Sequence, residues 1–201
     1  YQHYKMYYGP HNAVLIIVGD MEVERVQARI EELFGPIPAG PTPPAWQIKE
    51  PVQQSERRLV VRRPGRAAYF HAAYHTCAGA DEDAFPLLTL AAILSGANFG
   101  GGTATHRSAR LYRALVETEL ATSAAAYYQP TIDPGPLHFI GTVRDGRTLA
   151  EFETALNAEI ERLVNEPVSE EELAKVRKQT KAQFVYTVER VSSQAQWLGF
   201  M

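Results

Sequence analysis

The residues in this chain whose spacing comes closest to a catalytic motif are the two histidines of HAAYH, at 71–75. In the H-x-x-E-H zinc motif, two histidines at the same spacing bind the metal and a glutamate between them acts as the base. Tyr74 stands in the glutamate position. A phenol with a pKa of about 10 stays protonated at neutral pH, so Tyr74 cannot take a proton from a bound water as a carboxylate can.

Geometry decides whether His71 and His75 can share a metal ion. On a helix, residues four apart are about 5–6 Å from each other, whereas on a strand they are about 13 Å apart on the same face. Turn residues flank the stretch at 64–65 and 78–80, and the residues between them mix aromatic with small side chains, which suits a strand better than a helix. We therefore predict two histidines on a strand, with a His71–His75 zinc site as the alternative.

The remaining candidate sites are weaker. No carboxylate or cysteine stands at ligand spacing from His3, His11, His106 or His138. The glycine-rich stretch at 96–107 lacks the Gly-Lys-Ser/Thr of a phosphate-binding loop, which favours a flexible connection between helices. We predict no catalytic residue and no metal ligand in this chain, and its substrate-binding residues are unknown.

Composition excludes several classes of partner. The 201 residues carry a formal net charge of −3, with 45% hydrophobic residues. This is the composition of an ordinary globular chain without a basic surface, so we expect neither a nucleic-acid nor a membrane partner. Cys77 is the only cysteine and cannot form an internal disulfide, which leaves the compartment open, with the cytoplasm slightly favoured.

Hydrophobic periodicity orders the elements along the chain. Asp20, Asp81 and Ser169 are expected to cap helices, and five prolines between 36 and 44 predict an extended linker. The predicted strands are 12–20, 57–63, 67–77, 123–131 and 137–143, and the predicted helices are 23–34, 81–95, 107–120, 149–163 and 169–191.

The order of these elements predicts an α+β fold. After an N-terminal β-α unit and the linker, the order is β-β-α-α-β-β-α-α, which indicates a two-layer sandwich with helices packed on one face of an antiparallel sheet. We predict three regions: a β-α unit at 1–40, a proline-rich linker at 41–54 and an α+β domain at 55–201.

Three stretches carry a family resemblance, which covers essentially the whole chain. They are YYGPHNAVLIIVGDMEVERVQARIEELFGPIP, SARLYRALVETELATS and PVSEEELAKVRKQ, in that order. Their order and spacing resemble the segment that follows the zinc site in the insulinase (pitrilysin-type) zinc metallopeptidases. The resemblance implies that residues 1–40 end the zinc-bearing domain and that residues 55–201 are the following domain, which carries no metal.

The family also implies a substrate-holding pair that this chain lacks. Many members carry an arginine and a tyrosine seven residues apart in R-E-K-x-G-L-A-Y. The matching residues are Leu115 and Thr122, and neither can make the same hydrogen bonds. A homologous second half or partner subunit would then supply the pair.

Two functions follow from the resemblance. In the first, this chain is an inactive domain that forms the wall of a peptide-binding chamber, while zinc in the preceding domain activates water with the help of a glutamate. The glycine-rich stretch would then help to line the chamber. In the second, the whole protein is a catalytically dead relative that acts as a scaffold or subunit-interaction domain.

Overall fold

The computed structural model describes residues 1–45, 50–97 and 105–200. The chain folds into two compact units, one made of Tyr1–Val61 with Val188–Met201 and the other of Arg62–Thr187. Within the described ranges, no helix is long and apolar enough to cross a membrane. The elements are α1 (Gln2–Tyr7), a 3₁₀ turn (Pro10–Asn12), α2 (Val23–Phe34), β1 (Ala68–His75), α3 (Ala84–Ser95), a π-helical turn (Tyr112–Val116), β2 (Ala121–Tyr128), β3 (Pro136–Val143), α4 (Leu149–Asn165), α5 (Glu170–Val188) and α6 (Val191–Phe200).

The first unit is helical and has no sheet among its described residues. The backbone N–H of Gly40 donates to Nδ1 of His11 at 3.0 Å. A Cβ on Gly199 would lie 3.1 Å from Ile16 Cδ1, so α6 lies against the apolar segment that contains Ile16. The strand predicted at 12–20 is wrong, because a strand needs a hydrogen-bonded neighbour and none of the described backbone pairs with this segment.

The second unit contains one antiparallel sheet with strand order β1-β3-β2. The α+β class predicted from the sequence is therefore confirmed. The predicted strand at 57–63 is wrong, since these residues are exposed and form no ladder. The apolar residues of RRLVVRR favoured a strand there, but burial of a strand face requires a neighbour that the hydrophobic pattern alone does not supply.

The two faces of the sheet differ in burial, as the alternation along β3 shows. Leu137, Phe139 and Val143 are buried on the inner face, whereas His138 and Ile140 are only half-buried on the outer face. The inner face packs against α3, the π-helical turn and α4. The helices therefore cover one face, and the outer face carries the histidines.

Phe152 of α4 fills the space above Gly141 at the centre of the inner face. Its side chain is 1% exposed, and its ring lies 5.2 Å from the ring of Phe70, measured between centroids. A Cβ on Gly141 would lie 2.6 Å from Cε2 of Phe152 and closer still to Cζ. Only a glycine in β3 lets the helix come this close to the sheet.

An ion-pair cluster joins α4, α5 and the segment before the π-helical turn. Arg110 donates through Nε and Nη2 to the two carboxylate oxygens of Glu172, at 2.9 and 2.7 Å. The Nη1 of Arg110 is 3.5 Å from Oε1 of Glu159, a carboxylate that is 5% exposed and also accepts from Arg162 at 3.1 Å. A bidentate arginine pair fixes orientation as well as distance, so the cluster sets how α5 begins against α4.

Several helix boundaries differ from the sequence prediction. The helix expected from Asp81 begins at Ala84, because the Asp81 side chain instead accepts the N–H of Asp83 in a turn. Asp20 is not the cap of α2, whose N-cap residue is Glu22. Ser169 is confirmed as a cap, since its hydroxyl accepts the N–H of Glu172 at 3.2 Å. Two predicted helices are also wrong in extent. The helix predicted at 107–120 is only a short helical segment that continues into the π-helical turn, and the helix predicted at 169–191 ends at Val188.

We predict that Gly141→Ala destabilises the second unit. The added methyl group would overlap the Phe152 ring and push α4 from the sheet, which should lower the free energy of unfolding by about 2–3 kcal/mol. Gly65→Ala is the control, because its Cβ would find only Arg63 O, at 4.0 Å. It should change stability by less than about 1 kcal/mol. Urea denaturation followed by circular dichroism tests both, and an equal loss in the two variants would contradict the assigned contact.

We also predict an acid-sensitive contribution from Glu172. The hydrogen bonds from Arg110 lower the pKa of Glu172 below its ordinary value of 4.5. The ion pair therefore stabilises the fold fully above pH 4.5 and loses this contribution as the pH falls through the lower folded-state pKa.

Urea unfolding between pH 7 and pH 3 measures this contribution. Glu172→Gln should be less stable than the unsubstituted chain at neutral pH and should lose less stability on acidification. Glu171→Gln changes an exposed neighbour in the same helical turn and should keep the original slope. Parallel pH curves for Glu172→Gln and the unsubstituted chain would rule out this role for the ion pair.

Candidate functional site

The outer edge of β1 is the first part of the candidate site. Thr76 N–H donates to the carbonyl of Gly135 at 2.9 Å, which fixes the phase of the β1–β3 ladder. Hydrogen-bonded and non-hydrogen-bonded pairs alternate in an antiparallel ladder, so every second residue of β1 turns its backbone N–H and C=O away from β3. These residues are Tyr69, His71, Ala73 and His75.

The outward backbone groups of β1 have no hydrogen-bond partner within the part of the chain that the structure describes. The side chains of the same residues are exposed on the outer face of the sheet. An edge of this kind offers alternating donors and acceptors to another extended chain, with neighbouring side chains available for selection.

The outer edge of β2 differs because side chains occupy it. The Ser95 hydroxyl accepts the N–H of Ala126, and the Thr105 hydroxyl donates to the carbonyl of Ala124. Two of the outward groups of β2 are thus already satisfied by the end of α3 and the segment near Thr105. Of the two edges of this sheet, β1 is the more open to a further strand.

The histidine stretch lies on this open strand. Residues 71–75 belong to β1, which confirms the strand predicted for HAAYH. His71 and His75 stand four positions apart on one face, a distance of about 13 Å along a strand, too long for one ion to bridge. Among the described residues, no group of three or more His, Cys, Asp or Glu side chains is arranged to hold a metal ion.

The structure brings together a different pair of histidines, which the sequence reasoning missed. Nε2 of His71 and Nδ1 of His138 are 2.9 Å apart, and the Tyr127 ring stacks on the His138 ring at 4.6 Å between centroids. Burial and the nearby His71 lower the pKa of His138. Only the pairing register of β1 with β3 could have revealed this contact, since the two residues are 67 positions apart.

The two residues that match the family's substrate-holding pair are already used inside the fold. Leu115, in the π-helical turn, is 0% exposed and belongs to the core cluster. Thr122 is exposed beside an irregularity in the pairing of β2, and its hydroxyl donates to the carbonyl of Thr142 at 3.3 Å. Leu115 is thus enclosed in the core, and the Thr122 hydroxyl already donates within the sheet.

Most of the glycine-rich stretch, residues 98–104, lies outside the described residues, so its role as a flexible connection stays a prediction. Its two ends are described. Gly96 ends α3 with φ +96°, a left-handed conformation that favours glycine. The N–H of His106 donates to the carbonyl of Ser95 at 2.9 Å, which brings the end of the stretch back to the end of α3.

Comparisons with known proteins give a consistent result. The family model described as "Peptidase M16 inactive domain" matches residues 1–180. A search of curated proteins found no match.

Solved structures are similar to this chain over much of its length. A protease from Helicobacter pylori has 24% sequence identity and a TM-score of 0.82, covering 97% of this chain and 46% of its own. The inactive domain of a protein named as a zinc protease from Bordetella parapertussis has 28% identity and a TM-score of 0.55, covering 70% of this chain and 72% of its own. A peptidase M16 inactive domain from Pseudomonas fluorescens has 19% identity and a TM-score of 0.63, covering 80% and 36%. This chain thus spans about half the length of the Helicobacter protein.

The alternation of inward and outward backbone N–H groups along β1 predicts where the strand tolerates proline. Ala73→Pro removes an N–H that points away from β3, whereas Ala72→Pro removes one that donates into the ladder. Proline is tolerated on the free side of an edge strand. Ala72→Pro should therefore lower the free energy of unfolding by about 3 kcal/mol, and Ala73→Pro by less than half as much. Urea denaturation measures the stability of both variants. A larger loss of stability for Ala73→Pro would mean that the Ala73 N–H, and not the Ala72 N–H, donates to β3.

Proposed function

Since this chain belongs to the peptidase M16 inactive domain family, we propose that it is the noncatalytic domain of an insulinase-type zinc metalloendopeptidase and forms a wall of its peptide-binding chamber. Peptide hydrolysis belongs to a zinc site in the preceding domain. The described residues offer no donor set for that zinc, so no step of the hydrolysis is assigned to them.

The observation that carries the proposal is the open edge of β1. Tyr69, His71, Ala73 and His75 present backbone donors and acceptors to the outside, while hydroxyl groups occupy outward positions on the opposite edge. An extended peptide can add to such an edge by main-chain hydrogen bonds, which recognise any sequence in an extended conformation. This suits a domain that holds unfolded polypeptide beside a protease site.

The environment of Leu115 and Thr122 supports the assignment of substrate holding to a different part of the assembly. A buried leucine and a threonine that bonds to its own sheet leave the substrate-holding arginine and tyrosine to another part of the assembly. We infer that a homologous second half or a partner subunit supplies them. The wall domain then contributes a surface along which the substrate lies. The other half or subunit binds the substrate at the carbonyl that reacts.

Peptide binding to the 201-residue chain tests the wall function. A fluorescein-labelled unfolded polypeptide, such as reduced and carboxymethylated lactalbumin, is titrated with the chain and followed by fluorescence anisotropy. Ala73→Pro should weaken binding at least tenfold, because it removes an outward donor and bends the edge. Ala73→Ser keeps the N–H and should bind like the unsubstituted chain. Equal binding by both variants would rule out strand addition at β1.

Peptidase assays test the catalytic assignment separately. The 201-residue chain should not cleave a fluorescence-quenched peptide with or without added Zn²⁺. A longer product of the same gene that includes the preceding domain should cleave it when the second half or partner subunit that supplies the arginine and tyrosine is also present. In that longer protein, Ala73→Pro should raise KM with little change in kcat, since the edge binds substrate away from the reacting bond. Metal-dependent cleavage by the short chain would contradict the proposal, and a longer protein that stays inactive with its second half or partner subunit present would favour the scaffold function.

A further inference from the structure

The outer face of the sheet carries a pair of nitrogen ligands. His71 lies on β1 in register with Ile140, and His138 lies on β3 in register with Ala73, so the two histidines face each other diagonally. The distance between Nε2 of His71 and Nδ1 of His138 is 2.9 Å. His71 is exposed and His138 is half-buried, which leaves one side of the pair open to water.

The contact requires a particular charge state. At 2.9 Å, one of the two nitrogens carries a hydrogen and donates it to the lone pair of the other. Two protonated rings would have no acceptor and would repel each other. Metal ions bind the lone pair of neutral imidazole, the same form that accepts the hydrogen bond in this pair.

The separation of the two nitrogens, an ordinary hydrogen-bond length, is also compatible with two ligands in adjacent coordination positions. With metal–nitrogen bonds of about 2.0 Å, nitrogens 2.9 Å apart subtend an angle of about 90° at a shared ion. A tetrahedral ion needs a separation of about 3.3 Å at similar bond lengths. An angle near 90° is that of neighbouring positions in a square plane or an octahedron, and among the divalent ions that imidazole binds in such positions Cu²⁺ is bound most tightly.

We propose that Nε2 of His71 and Nδ1 of His138 bind one Cu²⁺ ion in two adjacent positions of a square plane, with water in the others. Each ring turns so that its lone pair points at the ion. The ring that donated the hydrogen bond moves its proton to its other nitrogen, so both imidazoles stay neutral and no net proton is released. The Tyr127 ring, stacked on His138, positions that ligand.

His75 is a matched control within the same strand. It is exposed on the same face as His71, but at about 13 Å along the strand it lies outside the reach of an ion bound to His71. In the stretch HAAYH, His71 is therefore a ligand of the proposed site and His75 is not. Substitution of His71 should therefore weaken metal binding, whereas substitution of His75 should leave it unchanged.

The test is Cu²⁺ titration of the untagged 201-residue chain by calorimetry and electron paramagnetic resonance. All variants carry His3→Ala, because a free amino terminus with a histidine at position 3 chelates Cu²⁺ by itself. Relative to this background, His71→Ala and His138→Gln should weaken binding at the strongest site at least tenfold and remove nitrogen couplings from the spectrum. His75→Ala should bind like the background.

A second measurement needs no substitution at the site and so does not depend on a variant folding correctly. In nuclear magnetic resonance spectra of the background chain, substoichiometric Cu²⁺ should first broaden the backbone amides next to His71 and His138. Equal loss of Cu²⁺ binding in His75→Ala and His71→Ala, or broadening that begins around other histidines, would overturn the proposal.

Discussion

The close approach of α4 to the central strand of the sheet is the constraint on which the rest of the second unit depends. Phe152 can lie over β3 only because Gly141 has no side chain, and small residues such as Ala124 and Ala126 continue the shallow inner face on β2. Once α4 lies there, Glu159 on the same helix is within reach of Arg110. The arginine in turn holds the first turn of α5 through Glu172, so one glycine underlies the placement of two helices.

Much of this unit follows from local patterns in the sequence. The hydrophobic residues of α4 recur at helical spacing, and Ser169 caps α5 as its sequence context predicts. The strands β2 and β3 flank the turn at 133–135, and the antiparallel sheet with helices on one face follows from the order of elements. In each case the information lies within a window of a few residues, where periodicity and turn chemistry act.

The failures concern features that depend on distant partners. Residues 12–20 and 57–63 have the composition of strands, but a strand exists only when a second backbone satisfies its hydrogen bonds. The meeting of His71 with His138 depends on the register between β1 and β3, which no local spacing encodes. The turn at Tyr112–Val116 has a sequence that favours an α-helix, yet the N–H of Glu117 bonds to the carbonyl of Tyr112, five residues back. Side-chain packing of Leu115 in the core accompanies this wider turn.

The difference between the two edges of the sheet also limits how copies of this chain can associate. Among the described residues, the hydroxyls of Ser95 and Thr105 occupy two outward positions on β2, so a further strand pairs more readily beside β1 than beside β2. Two copies that join through their β1 strands form a continuous sheet with three strands from each, bounded at both ends by β2. Self-association through β1 would therefore use the open edge of both copies and favour a dimer over a longer assembly.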